Sequence, residues 1–232
     1  LAGSKEPLVR IVKKSSATMK QKVIVRAASI VLALIIDAAF IVLVTGLNPL
    51  AVYREIFKAT FETPLRFMWM LRDLVALLCI GIALAPAFKM RFWNIGAEGQ
   101  VLIGGLATAA CMITLGGKVP DGVLILIMAV TAIVAGAIWG VIPAFFKANW
   151  GTNETLFTLM MNYVAMQLVQ FFVVKWEVPK GSGKVGIINQ DTHAGWLPTI
   201  GDNSYLLNII IVALIVVILF VYLRYSKHGY EI

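Results

Sequence analysis

The sequence predicts an all-α fold, a polytopic bundle of transmembrane helices, and three observations carry that prediction. Of the 232 residues, 60% are hydrophobic and only 14% are charged. A water-soluble domain of this size carries roughly 25% charged residues because its surface faces water. The mean hydropathy of +0.88 points the same way. Finally, the chain contains about six apolar runs, each close to the roughly 20 residues that a membrane-spanning helix needs.

Basic residues are concentrated before the first apolar run. The formal net charge is +8, and seven of the 20 lysines and arginines lie within the first 26 residues. Positive charge at this place is typical of a segment that stays in the cytoplasm, so it does not indicate nucleic acid as a partner. We predict a basic cytoplasmic N-terminal arm at residues 1–22 and a transmembrane permeation domain at residues 23–232. We expect that domain to continue beyond Ile232.

The first two spans are predicted at residues 27–46 and 71–88. The first run is interrupted by only three polar residues, one of them Asp37, and the turn signal Asn48-Pro49 follows it. It is too long and too uniformly apolar for the core of a signal peptide. The second run contains a glycine and a proline, which a transmembrane helix tolerates where neighbouring helices cover the exposed backbone.

The third and fourth spans are predicted at residues 94–115 and 123–146, separated by a glycine- and proline-containing turn. The fourth run is almost unbroken. It contains Gly136 and Gly140, a pair of small residues one turn apart that lets two helix backbones approach closely in lipid. We therefore predict helix packing at these two glycines.

The fifth and sixth spans are predicted at residues 152–174 and 205–222. Between them lies a segment rich in Gly, Asn, Asp and Pro, which predicts a loop over residues 176–204. The sixth run is a dense series of Ile, Val and Leu. Alternating spans place the basic residues at every second junction on the same side as the N-terminal arm, which supports a cytoplasmic N-terminus. Those residues are Lys89, Arg91, Lys147, Arg224 and Lys227.

The most informative segment of the chain combines polar side chains with glycines at the start of the third run. It comprises Asn94, Gly96, Glu98, Gly99 and Gln100. An acidic group in lipid costs about 2.5 to 3.5 kcal/mol on insertion scales, so it normally faces a cavity or a partner. On a helix, Asn94 and Glu98 would share a face, and the two glycines would allow bending or close packing. The segment predicts either a polar helix start on a substrate pathway or a structural contact between helices.

The fifth span carries a polar stripe. Its side chains fall within an arc of roughly 160 degrees at 3.6 residues per turn. They are Glu154, Thr155, Thr158, Asn162, Met166 and Gln170. Because such groups would be unsatisfied in lipid, the stripe faces a pore or other helices. Together with Asn153, the residues Glu154, Thr158 and Asn162 are candidates for the substrate pathway, and interhelical hydrogen bonding is the alternative.

The remaining polar features do not indicate catalysis. Asp37 lies inside the first span, where a proton relay and a satisfied contact between helices are the alternatives, and the contact is preferred because the span holds no second titratable group. The loop residues 181–184 resemble part of a phosphate-binding loop but lack its first glycine and its final Ser or Thr. The two cysteines lie in apolar runs without metal-ligand spacing. We predict no catalytic residue, no metal site and no cofactor bound by this chain.

At the polar segments the chain resembles the permeases of bacterial ATP-binding-cassette (ABC) importers that take up branched-chain amino acids, monosaccharides and nucleosides. Residues 94–100, Asn-Ile-Gly-Ala-Glu-Gly-Gln, are similar to the motif of the nucleoside and simple-sugar branch. Residues 136–140 and 153–163 agree in order and spacing. Gly229, Tyr230 and Glu231 are similar to the start of the segment that couples a permease to its ATPase.

The resemblance implies a transport subunit of the bacterial cell membrane that is not itself an enzyme and forms the translocation pathway for a nucleoside or a simple sugar. The implied partners are an ABC ATPase subunit that binds ATP and magnesium, a second permease subunit that is homologous or identical, an extracytoplasmic substrate-binding lipoprotein and the lipid bilayer. The alternative is a proton- or ion-coupled secondary transporter of a small polar solute, which the intramembrane acids Asp37 and Glu98 suggest.

Overall fold

A computed structural model describes residues 18–201 and 205–231, and the described residues contain eight helices. The helices are α1 (Met19–Thr45), α2 (Pro49–Phe61), α3 (Pro64–Lys89), α4 (Ala97–Leu115), α5 (Asp121–Trp150), α6 (Glu154–Trp176), α7 (Leu206–Tyr225) and α8 (Lys227–Glu231). All of them except α2 and α8 are long and apolar enough to cross a membrane. The prediction of an all-α bundle with about six spans is confirmed.

Span boundaries shift in both directions from the predicted positions, and the largest shifts extend the first two spans at their starts. The first span begins at Met19 rather than at residue 27, because lysine, arginine and glutamine are good helix formers and extend the apolar run. The predicted N-terminal arm lies largely outside the described residues, and only its last part is seen, in the first turn of α1. The third span begins at Ala97 rather than at Asn94, for a reason that lies in the site described below.

The helix α2 is absent from the sequence-based prediction, which assigned a turn to Asn48-Pro49. The Asn48 side-chain oxygen accepts a hydrogen bond from the backbone N–H of Leu50 at 3.0 Å, and Pro49 occupies the first helical position. An asparagine cap followed by proline is a helix start as well as a turn signal, because both residues satisfy or remove N–H groups that lack partners. The helix has only 13 residues, too few to span a bilayer.

The described residues divide into two compact units, one that ends at Phe67 and one that begins at Met68. In the first unit α2 packs against α1. The Tyr53 hydroxyl lies 2.7 Å from the Leu34 carbonyl oxygen and 3.0 Å from the Asp37 carboxylate. Asp37 thus has a hydrogen-bond partner on a neighbouring helix, as the preferred interpretation of this residue requires.

In the second unit α4 packs between α5 and α6. The α4–α5 contact is close because small residues face each other, and a methyl group added at Gly104 would lie 3.4 Å from the Ala132 carbonyl oxygen. Farther along, the Cys111 sulfur lies 3.4 Å from the Thr131 hydroxyl oxygen. Such backbone proximity stabilises helix pairs in lipid through van der Waals contact rather than through the hydrophobic effect.

The segment between α6 and α7 folds against the ends of α4 and α5. The amide nitrogen of Asn189 donates to the carbonyl oxygens of Met112 and Ala194 at 3.1 and 3.0 Å. A methyl group added at Gly195 would lie 3.0 Å from the Leu124 side chain, which is fully buried. We call this part of the second unit the loop end of α4–α6, comprising residues 112–124 and 176–196.

Glu177 fixes the first part of the same segment. Its two carboxylate oxygens accept hydrogen bonds from the backbone N–H groups of Gly181 and Gly183, both at 2.8 Å. These two bonds hold the pKa of the Glu177 carboxyl below its usual value, because they stabilise the charged form. Residues 181–184 resemble a phosphate-binding loop in sequence. In the structure the N–H groups of Gly181 and Gly183 bind a carboxylate of the chain itself.

Candidate functional site

The polar segment at residues 94–100 lies where α4 begins, beside the first two turns of α6 and the last part of α5. The Asn94 side-chain oxygen accepts a hydrogen bond from the Gly96 N–H at 2.8 Å and turns the backbone out of the helical path. The helix α4 starts at Ala97, immediately afterwards. The expectation that Asn94 and Glu98 share a helix face is therefore wrong, because only Glu98 lies within the helix.

Two buried side chains of α6 bind the backbone of this segment. The Thr158 hydroxyl oxygen accepts a hydrogen bond from the Ile95 N–H at 3.2 Å. The Asn162 side chain accepts from the Gly99 N–H at 2.8 Å and donates to the Ile95 carbonyl oxygen at 3.0 Å. Thr158 is 1% exposed and Asn162 5% exposed. The first N–H groups of a helix have no partner within it, so Asn162 acts as a cap supplied by another helix.

Two glycines allow this close approach of α4 to α6. A methyl group added at Gly96 would lie 3.0 Å from the Thr158 side chain, and one added at Gly99 would lie 2.8 Å from the Asn162 side-chain oxygen. The backbone of Asn162 is also close, with its Cα 3.2 Å from the added group at Gly99. Rotation of a side chain alone does not relieve such a contact. The glycines at positions 96 and 99 are thus required by the hydrogen bonds of Asn162 and Thr158.

The helix α5 also contacts the start of α4. The Trp139 indole nitrogen lies 3.1 Å from the position of a methyl group added at Gly99. That nitrogen is buried and has no hydrogen-bond partner among the described residues. The side chain of Gln100 approaches Gly140, and its backbone carbonyl oxygen lies 3.6 Å from a methyl group added at Gly136. Both predicted packing glycines of α5 therefore face α4 at Gln100.

An ion pair lies at the short turn between α5 and α6. The Lys147 ammonium is 2.7 Å from the Glu154 carboxylate, which is only 9% exposed. Gly151 ends α5 with a φ of 62°, a left-handed conformation that favours glycine. Asn153 caps α6, because its side-chain oxygen accepts a hydrogen bond from the Leu156 N–H at 3.2 Å. The side chains of Lys147, Glu154 and Asn153 thereby find partners within the chain.

Glu98 differs from the other acidic residue of the predicted site, Glu154, which is paired with Lys147. It lies in the first turn of α4, and its side chain is exposed. Within the described residues no hydrogen bond or ion pair of its carboxylate is found. Its negative charge near the N-terminus of a helix is electrostatically favourable. Of the predicted pathway residues, Glu98 is the one whose charged group remains available to a solute or to another protein.

The other predicted site residues lie elsewhere. Gly229, Tyr230 and Glu231 fall in the short helix α8, next to α7. The Gly229 N–H donates to the Ser226 hydroxyl oxygen at 2.9 Å. A role of these residues in coupling to an ATPase stays a prediction. We use the name α4–α6 junction for the assembled group of Asn94 to Gln100, Trp139, Thr158 and Asn162.

Two residues in or near the junction were not assigned a site role from the sequence. Trp139 belongs to the motif at residues 136–140, but it was assigned no role from the sequence. Its position between the two packing glycines was the signal that could have placed it at the helix contact. Lys147 was assigned only to the cytoplasmic side. Its separation from Glu154 by a short glycine-containing turn would have indicated the ion pair, because such a turn brings consecutive helix ends together.

Six apolar helices with buried polar side chains between them define a multi-pass helical membrane protein. The chain belongs to the family described as the permease component of the branched-chain amino acid transport system, whose profile matches residues 68–232. The matched region contains the whole α4–α6 junction. No solved structure matches the chain.

Three characterised relatives are similar to the chain. The guanosine ABC transporter permease protein NupP of Bacillus subtilis is 30% identical over 197 residues, 84% of this chain and 56% of the relative. The nucleoside ABC transporter permease protein NupB of Lactococcus lactis is 26% identical over 220 residues, 91% of this chain and 60% of the relative. The glucose ABC transporter permease protein TsgB13 of Haloferax volcanii is 31% identical over 153 residues, 66% of this chain and 40% of the relative. The chain thus spans about half the length of these relatives.

Proposed function

We propose that the protein is a permease subunit of an ABC importer for nucleosides or simple sugars and that it forms part of the translocation pathway. The observation that carries the proposal is the family match over residues 68–232, together with relatives named for guanosine, nucleoside and glucose transport. The same match favours ATP-driven transport over the proton- or ion-coupled alternative. The hydrogen bond between Tyr53 and Asp37 also gives one of the two intramembrane acids a structural role.

The proposed partners follow from the same relationship. ATP and magnesium bind to a separate ATPase subunit, and α8 with Gly229 to Glu231 begins the segment that receives its motion. A second permease subunit and an extracytoplasmic substrate-binding lipoprotein complete the importer. The family relationship favours a bacterial cell membrane location, and the basic residues at alternate junctions favour a cytoplasmic N-terminus. With that orientation the α4–α6 junction lies toward the cytoplasm and the loop end lies outside.

Within the pathway we assign the solute contact to Glu98 and a structural role to its neighbours. The side chains of Asn94, Asn153, Thr158 and Asn162 are occupied by backbone groups, and Glu154 is occupied by Lys147. A free carboxylate accepts hydrogen bonds from the hydroxyl groups that nucleosides and sugars share. The Gln100 side chain is only partly exposed and lies against Gly140, so Glu98 is the side chain best placed to recognise them.

Uptake of labelled guanosine and glucose in cells that carry or lack the gene tests the proposed function. We expect the deletion to abolish uptake of one of these solutes and the restored gene to recover it. Deletion of the gene for the ATPase partner should have the same effect. Unchanged uptake of nucleosides and sugars in both deletions would contradict the proposal.

The role of Glu98 is tested by a pair of matched substitutions. We expect Glu98→Gln to lower transport more than Asp37→Asn does, because the first removes a free charge and the second only weakens a contact between helices. Transport is measured at equal amounts of protein in the membrane. Equal losses, or a greater loss for Asp37→Asn, would remove the assignment of Glu98 to the pathway.

A further inference from the structure

At the α4–α6 junction, side chains of α6 bind the start of α4. At the loop end, the segment between α6 and α7 contacts both α4 and α5. At the junction, Asn162 and Thr158 hold three backbone groups of residues 95–99. At the loop end, Asn189 donates to the last turn of α4 through the Met112 carbonyl oxygen. Both asparagines serve backbone groups more than 60 residues away in sequence. The start of α4 is thereby fixed to α6, and its last turn is fixed to the loop that packs against α5.

The contact between α4 and α5 leaves little room for sliding. Gly104 lies against Ala132, and Cys111 lies against Thr131 two turns farther along α4. Gln100 fills the space beside Gly136 and Gly140. Packed helices shift between discrete arrangements rather than deform continuously, and a shift here would have to break contacts along most of α4 at once. Within the second unit, the described spans α3 and α7 make no comparable set of contacts with these three helices.

We infer that α4, α5 and α6 move as one rigid body during transport. The inference rests on the proposed transport function. It assigns the polar residues of the junction to the integrity of the moving part. It also means that Glu98 is carried on a fixed surface, whose distance to α6 does not change.

A disulfide between α4 and α5 tests the inference directly. A Cβ atom added at Gly104 lies 4.0 Å from the Cβ of Ala132, within the range of roughly 3.5 to 4.5 Å that a disulfide requires. The Gly104→Cys and Ala132→Cys pair is placed in a Cys79→Ser, Cys111→Ser background and assembled with its partners in membrane vesicles. Either cysteine alone is the matched control, because it carries the substitution but cannot form the bond.

We expect the oxidised pair to transport at the rate of its own reduced form, within about twofold. Loss of transport on oxidation that reduction restores would overturn the inference. Absence of uptake in the reduced single-cysteine controls and in the unsubstituted protein alike would instead count against the proposed function, so the two failures are distinguishable.

A distance measurement covers the contact between α4 and α6 and does not depend on transport or on bond formation. Spin labels at Val101→Cys on α4 and Phe171→Cys on α6 use positions that are exposed in the structure. We expect a single distance distribution that does not change when solute or a nonhydrolysable ATP analogue is added to the assembled complex. A second distance that grows with the analogue would overturn the inference.

Discussion

The two ends of α4–α6 each depend on one asparagine, but the two asparagines use their amides differently. Asn162 lies on a helix and uses both its oxygen and its nitrogen, accepting from Gly99 and donating to Ile95. Asn189 lies in a loop with a φ of 55° and uses only its nitrogen, donating to two carbonyl oxygens. The junction therefore needs a donor and an acceptor in one side chain, whereas the loop end needs a donor alone.

The chain should therefore tolerate substitutions less well at the junction than at the loop end. At the junction the partners of Asn162 are backbone groups at the start of a transmembrane helix, and α4 and α6 meet there through glycine. Lost hydrogen bonds cannot be replaced by water where helices are packed in lipid. At the loop end the partners lie near the edge of the bundle, so water can take over part of the function of Asn189.

The largest effect is expected for Asn162→Leu. The substitution leaves the Gly99 N–H and the Ile95 carbonyl oxygen without their partner, and the loss costs about 1–3 kcal/mol for the buried Gly99 N–H alone. We expect a clear loss of folded protein and a lower melting temperature in detergent. Asn149→Leu is the matched control, because Asn149 is an exposed asparagine at the end of α5. Equal melting temperatures for the two variants would show that the junction does not depend on Asn162.

Gly99→Ala is expected to have the next largest effect. The added methyl group meets the side-chain oxygen and the Cα of Asn162, so α4 and α6 must separate, and overpacking of this kind costs about 1–3 kcal/mol. Gly105→Ala is the control on the same helix, since nothing lies within 4 Å of the group added there. Thermal unfolding of both variants measures the difference. A Gly99→Ala protein as stable as the Gly105→Ala protein would refute the close approach.

A smaller effect is expected for Asn189→Asp. The carboxylate cannot donate, and it places negative charge against the Met112 and Ala194 carbonyl oxygens. We expect the loop to become sensitive to protease while the transmembrane helices keep their melting temperature. Asn189→Gln keeps a donor and should retain part of the resistance to cleavage. Identical cleavage rates for the aspartate variant and the unsubstituted protein would contradict the role of Asn189.

The smallest effect is the pH dependence of the loop end. The pKa of Glu177 is lowered by the N–H groups of Gly181 and Gly183, so the charged form stabilises the folded loop. This contribution is complete above the ordinary pKa of glutamate and is lost as the pH falls through the lowered value. We expect protease resistance of the loop at neutral pH and a decline only in acid, and Glu177→Gln should remove this pH dependence. A decline that persists in the glutamine variant would assign it to another group.

The spans were predictable from the sequence, whereas the partners in most contacts between them were not. Each span satisfies its backbone within one helix, so local hydropathy is sufficient to find it. The short helix α2, which is not a span, was missed because an Asn-Pro pair also signals a turn. The partners of Asn162 lie more than 60 residues away, and no local pattern encodes such a pairing. A polar stripe on α6 indicated only that partners exist.

The start of α4 shows the same limit on a smaller scale. The residues of the polar segment were identified, but their helical spacing was assumed from Asn94 onward. The side chain of Asn94 binds the backbone of Gly96 and delays the helix to Ala97. Asparagine competes with helical hydrogen bonds in this way wherever its side chain reaches a nearby N–H group.

The central claim, that the protein is a permease driven by ATP, is tested most directly by solute uptake into vesicles reconstituted with the complete complex. We predict that uptake of guanosine or glucose requires ATP and magnesium on the side of the ATPase subunit and continues when an ionophore removes the proton gradient. Uptake that proceeds without ATP and stops when the proton gradient is removed would contradict the account.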